Sequence, residues 1–301
     1  MKSHRPSRSN FTTIRGLRYH LREWGPADAG PGRTLFMLHG WMDVSASFQF
    51  VVDALDPDWR VVAPDWRGFG LTEWTHGDCY WFPDYAADLE CIVDAVQGDA
   101  PAHLVGHSMG GNIALMYAGA RPARVRTVVN LEGFGLHASH SEQAPGRLAQ
   151  WIDEVKAGGS LRDYGSHDEV AARLRKNNPR LPAERAEFLA NHWAEPDGRG
   201  RLRVAGDPAH RIVNPVLYRV DEAMACWRAI TAPALMVMAA DTDALRHVAR
   251  DREQALAELQ RRFAAVPGAE QATVADAGHM LHHDQPEAVA RLIGDFLRRR
   301  G

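Results

Sequence analysis

A serine between glycines, at the end of an apolar run, is the first feature of this chain that could do chemistry. The stretch HLVGHSMGGNIAL, residues 103–115, reads as a strand that stops at Gly106 and a helix that follows Ser108. Glycines two residues either side of Ser108 suit a sharp turn, because a Cβ there would collide with the neighbouring strand or helix. Such a turn pushes Oγ out at the carboxyl edge of a sheet. It also aims the N–H of Met109 toward the place where an oxyanion would form.

A serine so placed becomes a nucleophile only with an imidazole in reach. The chain has 15 histidines, so position decides. His279, in DAGHMLHHDQPEAVARLIGDFL, follows the last expected strand on a glycine-marked turn, and Asp284 and Pro286 then open a helix. His282 and His283 raise a metal reading. No cysteine or second carboxylate cluster supports a zinc site, so they read as loop histidines near the helix cap and no metal is expected. His39 and His107 also end strands and read as pocket-shaping residues. In MLHGWMD, Trp41 follows His39 and Gly40, where its N–H would complete an oxyanion hole with that of Met109.

An acid must hold the imidazole's tautomer and offset its charge. Two strand ends offer one. VVNLEGFG carries Glu132, and APALMVMAADTDA carries Asp241 and Asp243. Asp243 also suits a helix N-cap. The residues alone leave the three open.

The elements that must position these side chains alternate. TLFMLHG (34–40), WRVVAPD (59–65), AHLVGHS (102–108) and VRTVVNLEG (125–133) are apolar runs that predict strands buried on both faces. Helices are expected at 46–55, 82–97 and 110–121. In the second, Tyr85, Leu89, Ile92, Val93 and Val96 share one face. This rhythm predicts an α/β fold with a mostly parallel sheet. NFTTIRGLRYHLREWG reads as an antiparallel edge hairpin. From about 136 to 230 the rhythm gives way to a helical region with Trp151, Trp193 and Trp227. It resumes with APALMVMAADTDA, a helix at 247–264, a short strand in ATVADAGH and a helix at 286–299. The expected organisation is a core at 1–135, a helical cap at 136–230 and the rest of the core at 231–301.

Composition narrows the function. The chain of 301 residues has 35 basic against 38 acidic residues, a net charge of −3, and no long block of one sign. Neither nucleic acid nor an anionic membrane is an expected partner. Cys79, Cys91 and Cys226 are odd in number and far apart, so a reducing cytoplasm is expected. The N-terminus lacks an apolar signal region, and PALMVMAA is too short to cross a bilayer.

Together LHGW, VVAPDWRGFGLT, LVGHSMGGNIAL and DAGHMLHHDQPEAVA resemble the α/β-hydrolase superfamily. The resemblance is to its capped branch, with epoxide hydrolases, haloalkane dehalogenases and C–C bond hydrolases, and within it to the serine-hydrolase-like proteins. It implies an eight-stranded, mostly parallel sheet, a Ser–acid–His triad, no cofactor and a structural Asp65. It also implies that the acid usually follows the first strand after the cap. There the family spacing falls on Thr242, between Asp241 and Asp243. Some capped dehalogenases keep their acid at the position of Glu132. Dehalogenases and epoxide hydrolases carry aspartate where this chain has Ser108. Serine there favours acyl transfer to water on a small, apolar substrate: an ester, thioester, lactone or amide. C–C cleavage of a diketone, cofactor-free perhydrolysis, or a ligand-binding role with little turnover are the alternatives. A homodimer is left open.

Overall fold

A computed structural model describes residues 4–301. The chain opens with β1 (Ser7–Ile14), β2 (Leu17–Trp24), β3 (Thr34–Leu38), α1 (Gln49–Ala54) and β4 (Arg60–Pro64). It continues through α2 (Phe82–Gln97), β5 (Ala102–His107), α3 (Met109–Ala120) and β6 (Val125–Leu131). An insertion follows: α4 (Ala144–Ala157), β7 (Asp163–Tyr164), α5 (His167–Asn177), α6 (Ala183–Trp193), β8 (Ala194–Pro196), β9 (Leu202–Val204) and α7 (Val220–Arg228). The chain returns as β10 (Ala234–Ala239), α8 (Arg252–Phe263), β11 (Glu270–Val274), α9 (Leu281–Asp284) and α10 (Pro286–Arg300).

Eight strands form one sheet in the order β1-β2-β4-β3-β5-β6-β10-β11. β1 and β2 pair antiparallel, as do β2 and β4, and the pairs from β4 to β11 run parallel. The expected edge hairpin and parallel core are both present. Parallel strands put their carboxyl ends on one edge, where the loops that follow them can converge.

Side chains alternate between the two faces of the sheet. Phe36, Val62, Leu104, Val128 and Met236 pack in one cluster with Leu89, Ile113, Trp227 and Leu259 of the helices. Leu35, Val61, Val105, Val129 and Val237 pack in the other with Val51, Ile293 and Phe296. Burying each such side chain contributes about 1.5–3 kcal/mol. The strands therefore cannot slip by one residue without exchanging faces. The loop after β4 is pinned by a buried ion pair: Arg67 donates from Nε and Nη2 to Asp88 at 2.5 and 2.6 Å, and Tyr19 donates to the same carboxylate at 2.6 Å.

Between β6 and β10, the structure adds something the helical reading of 136–230 lacks. β7, β9 and β8 form a small antiparallel sheet. Its strands have two or three residues, too few to leave a period-two pattern. With α5 and α6 they enclose a separate cluster that includes Tyr164, Val170, Leu181 and Leu189. α7 packs directly on α3, where a Cβ at Gly119 would lie 1.8 Å from the carbonyl oxygen of Cys226. α8 starts at Arg252, later than the expected 247. Residues 244–247 form a 3-10 turn, and Asp251 caps the helix by accepting from the N–H of Gln254 at 3.0 Å. Among the described residues, no helix is long and apolar enough to cross a membrane.

Candidate active site

Ser108 sits at the junction of β5 and α3 with φ +51° and ψ −114°. Few residues adopt this backbone, and only a closely packed frame holds it. The frame is visible at the two glycines. A Cβ at Gly106 would lie 2.3 Å from the carbonyl oxygen of Gly110, and one at Gly110 would lie 2.1 Å from that of Leu38. The N–H of Ser108 donates to the carbonyl of Leu131 at 2.8 Å, which ties the turn to the next strand.

His279 comes from the loop after β11. Its Nε2 lies 3.0 Å from Ser108 Oγ, and its Nδ1 lies 3.1 Å from Glu132 Oε2. With Nδ1–H donating to the carboxylate, Nε2 keeps its lone pair for the serine hydroxyl proton. The ring is a quarter exposed and the Glu132 carboxylate is fully buried. Burial pushes the imidazole down from its ordinary value to about 4.

Glu132 follows β6 in the left-handed region, at φ +61°. Asn130 locks that turn by donating from Nδ2 to the carbonyl of Gly133 at 2.8 Å and accepting the N–H of Gly133 at 2.9 Å. The carboxylate then accepts the N–H of Ala239 at 2.7 Å and the hydroxyl of Thr242. Burial pushes the Glu132 carboxyl upward, while the Thr242 and Ala239 hydrogen bonds pull it back toward the ionised form. Three donors converge on its two oxygens, an arrangement that suits a carboxylate and not a neutral acid.

The structure thus brings Ser108, His279 and Glu132 into one hydrogen-bonded chain. It does not bring Asp243 or Asp241 to the imidazole. Asp243 is exposed and paired with Arg246 at the start of the 3-10 turn, and Asp241 pairs with Arg180 at 2.8 Å. Thr242, between them, turns inward to Glu132. Asp65, buried, accepts from the N–H groups of Ser45 and Leu71 and pairs with His20, so it organises the loop after β4.

Trp41 and Met109 border the same space, and neither N–H has a hydrogen-bond partner among the described residues. His39 is turned away: its Nε2 accepts the N–H of Trp66 at 2.9 Å. His107 donates from Nε2 to the carbonyl of His279 at 2.8 Å and so holds the loop that carries the imidazole. His282 and His283 are not loop residues. They lie in α9 and are buried where it packs against α1, α10 and the 3-10 turn Ser45–Phe48.

Ser108 opens into a cavity of about 1000 Å3 between the sheet edge and the insertion. Its apolar wall includes Trp81, Phe82, Tyr85, Phe134, Leu189 and Trp193. Of the three tryptophans in 136–230, only Trp193 lines it, and Trp227 is buried in the core beneath α3. Arg162, Arg173, Lys176 and Arg211 also reach the cavity, and none meets a carboxylate among the described residues. Arg162 and Arg211 instead stand over the rings of Tyr164 and Trp41.

A family model described as alpha/beta hydrolase fold matches residues 33–286. A serine hydrolase-like protein of Danio rerio is 28% identical over 286 residues, covering 91% of this chain and 83% of the relative. A 2-hydroxy-6-oxo-2,4-heptadienoate hydrolase of Pseudomonas putida is 36% identical over 146 residues, 47% of this chain and 51% of its own. Among solved structures, the thioesterase domain from the curacin biosynthetic pathway superposes with a TM-score of 0.83. It is 24% identical and covers 96% of this chain and 99% of its own.

Proposed function

The chain belongs to the alpha/beta hydrolase fold family, and we propose that within it the protein is a serine hydrolase of a small acyl substrate. The observation that carries this reading is the chain of hydrogen bonds from Ser108 through His279 to Glu132, at 3.0 and 3.1 Å. In this reading Ser108 Oγ attacks the acyl carbonyl while His279 Nε2 takes its proton. The N–H groups of Met109 and Trp41 receive the oxyanion, and Glu132 steadies the imidazolium. His279 returns the proton to the leaving group. It then draws one from water, which releases the acid from the acyl-enzyme.

Residues 136–230 act as the cap over this site. The aromatic wall of the cavity favours an apolar acyl or leaving portion. The unpaired cations at its rim favour a substrate that also carries an anionic group. C–C hydrolysis of a diketone is the second reading, favoured by the likeness to the Pseudomonas putida hydrolase over about half of the chain.

Treatment with a fluorophosphonate probe and peptide mass spectrometry tests the proposal. Labelling confined to Ser108 and absent from Ser108→Ala is expected. A folded protein left unlabelled, with a tight ligand found and no turnover on esters or diketones, would overturn it in favour of a binding role.

A further inference from the structure

In the wall of the cavity lies a knot of buried polar atoms that the proposed reaction does not use. Asp43, His282 and His283 are each at most 5% exposed. One carboxylate oxygen and one ring nitrogen from each histidine all lie within 4.8 Å of one another. Asp43 Oδ1 is fixed by the N–H of Val44 at 2.9 Å and by the hydroxyl of Ser47. Its other oxygen, Oδ2, has no partner, nor has either ring nitrogen of His282 or Nε2 of His283. His282 Nε2 stands 3.8 Å from Asp43 Oδ2, beyond hydrogen-bond distance.

Leaving a buried polar atom unpaired costs about 1–3 kcal/mol, and one ion would take up three of these four, Asp43 Oδ2 and one nitrogen from each ring. From this geometry we propose that Asp43, His282 and His283 form a binding site for one divalent transition-metal ion of the zinc class.

Two imidazoles and a carboxylate are a donor set suited to zinc. At bond lengths of about 2.0–2.2 Å, tetrahedral ligand atoms stand about 3.3–3.6 Å apart. The 3.8 Å between Asp43 and His282 is already close to that span. Burial holds both rings in the neutral form that can ligate. The hydrogen bonds on Asp43 Oδ1 aim Oδ2 inward, as outer partners of metal ligands do. An entry path exists, because Asp43, Ser47 and His283 also line the cavity. In the sequence alone, no cysteine or second carboxylate cluster accompanies His282 and His283 to support a zinc site. The fold supplies a carboxylate from the loop after β3.

The site stands beside the proposed nucleophile and does not depend on it, so the test reads binding. Protein stripped with a chelator is titrated with Zn2+ by calorimetry and with Co2+ by absorption. One equivalent is expected, with the visible spectrum of a low-coordinate cobalt ion and a rise in Tm. Asp43→Asn and His283→Gln are each expected to weaken Zn2+ binding about 100-fold or more, beyond the 10–100-fold typical of outer partners. His137→Gln, on the surface, should leave it unchanged. Anomalous scattering from a zinc-soaked crystal of the unmodified chain locates the ion even if a variant does not fold. Absence of binding, binding indifferent to Asp43→Asn and His283→Gln, or water in place of a zinc peak would each overturn the proposal.

Discussion

Glu132 reaches His279 only because its backbone turns into the left-handed region and Asn130 holds it there. The hydroxyl of Thr242 and the N–H of Ala239 then orient the carboxylate. Replacing it with an amide keeps the shape and removes the charge. Glu132→Gln is expected to lower kcat about 10⁴-fold with intact folding, as tautomer control is lost. Asp243→Asn is expected to stay within about threefold in kcat, since its carboxylate faces Arg246 and solvent. Steady-state kinetics of the pair distinguishes the two. The pH profile carries a second check. In the proposed reaction His279 works as a base when neutral, and burial lowers its pKa to about 4. The ionised Glu132 at Nδ1 raises it again, so the acid limb of kcat/KM should move to lower pH in the residual activity of Glu132→Gln. Activity is retained above that limb and lost as pH falls through it.

At the scale of elements, the turn between β5 and α3 depends on backbone approach that no side chain can share. Gly110→Ala puts a Cβ 2.1 Å from the carbonyl oxygen of Leu38. It should destabilise the fold by about 2 kcal/mol or more, read as a lower Tm by calorimetry. This turn was legible in sequence, because glycine spacing, an apolar strand and a helical pattern agree around Ser108. α2 matches its expected bounds for a similar reason, since its apolar face repeats over four turns. Which of Glu132, Asp241 and Asp243 stands beside His279 was not legible. Spacing along a chain says which loop reaches an edge, not which side chain turns inward, and Thr242 separates Asp241 and Asp243 by that choice alone. α9 also escaped notice. Four helical residues carry no periodicity, and their burial depends on the loop after β3 meeting them.

Across the whole molecule, the insertion is fastened to the core beside the loop after β4. Gly70 donates to Ala205 and Asp207 to Gly68, each at 2.8 Å. His210 is stacked between Phe69 and Tyr80, with ring centroids 3.7 and 3.8 Å away. Burial lowers the pKa of His210 to about 3. A depressed histidine contributes stability that is complete above about 6.5, the unfolded value, and is lost as pH falls toward the folded one. Limited proteolysis should therefore cut residues 194–219 earlier at about pH 4.5, inside that window, than at about pH 7, above it, while cleavage of the sheet lags. The rim cations make a separate claim. If Arg162, Arg173, Lys176 and Arg211 receive an anionic group, KM for an anionic ester should rise with ionic strength while that of its neutral analogue does not.

The hydrogen bond from Thr242 to Glu132 also bears on how such a site can change over evolutionary time. Thr242 occupies the place that the family resemblance reserves for the acid, and it already touches the Glu132 carboxylate, which in the proposed reaction does the orienting. The two positions are thus alternative addresses for one negative charge, a hydrogen bond apart.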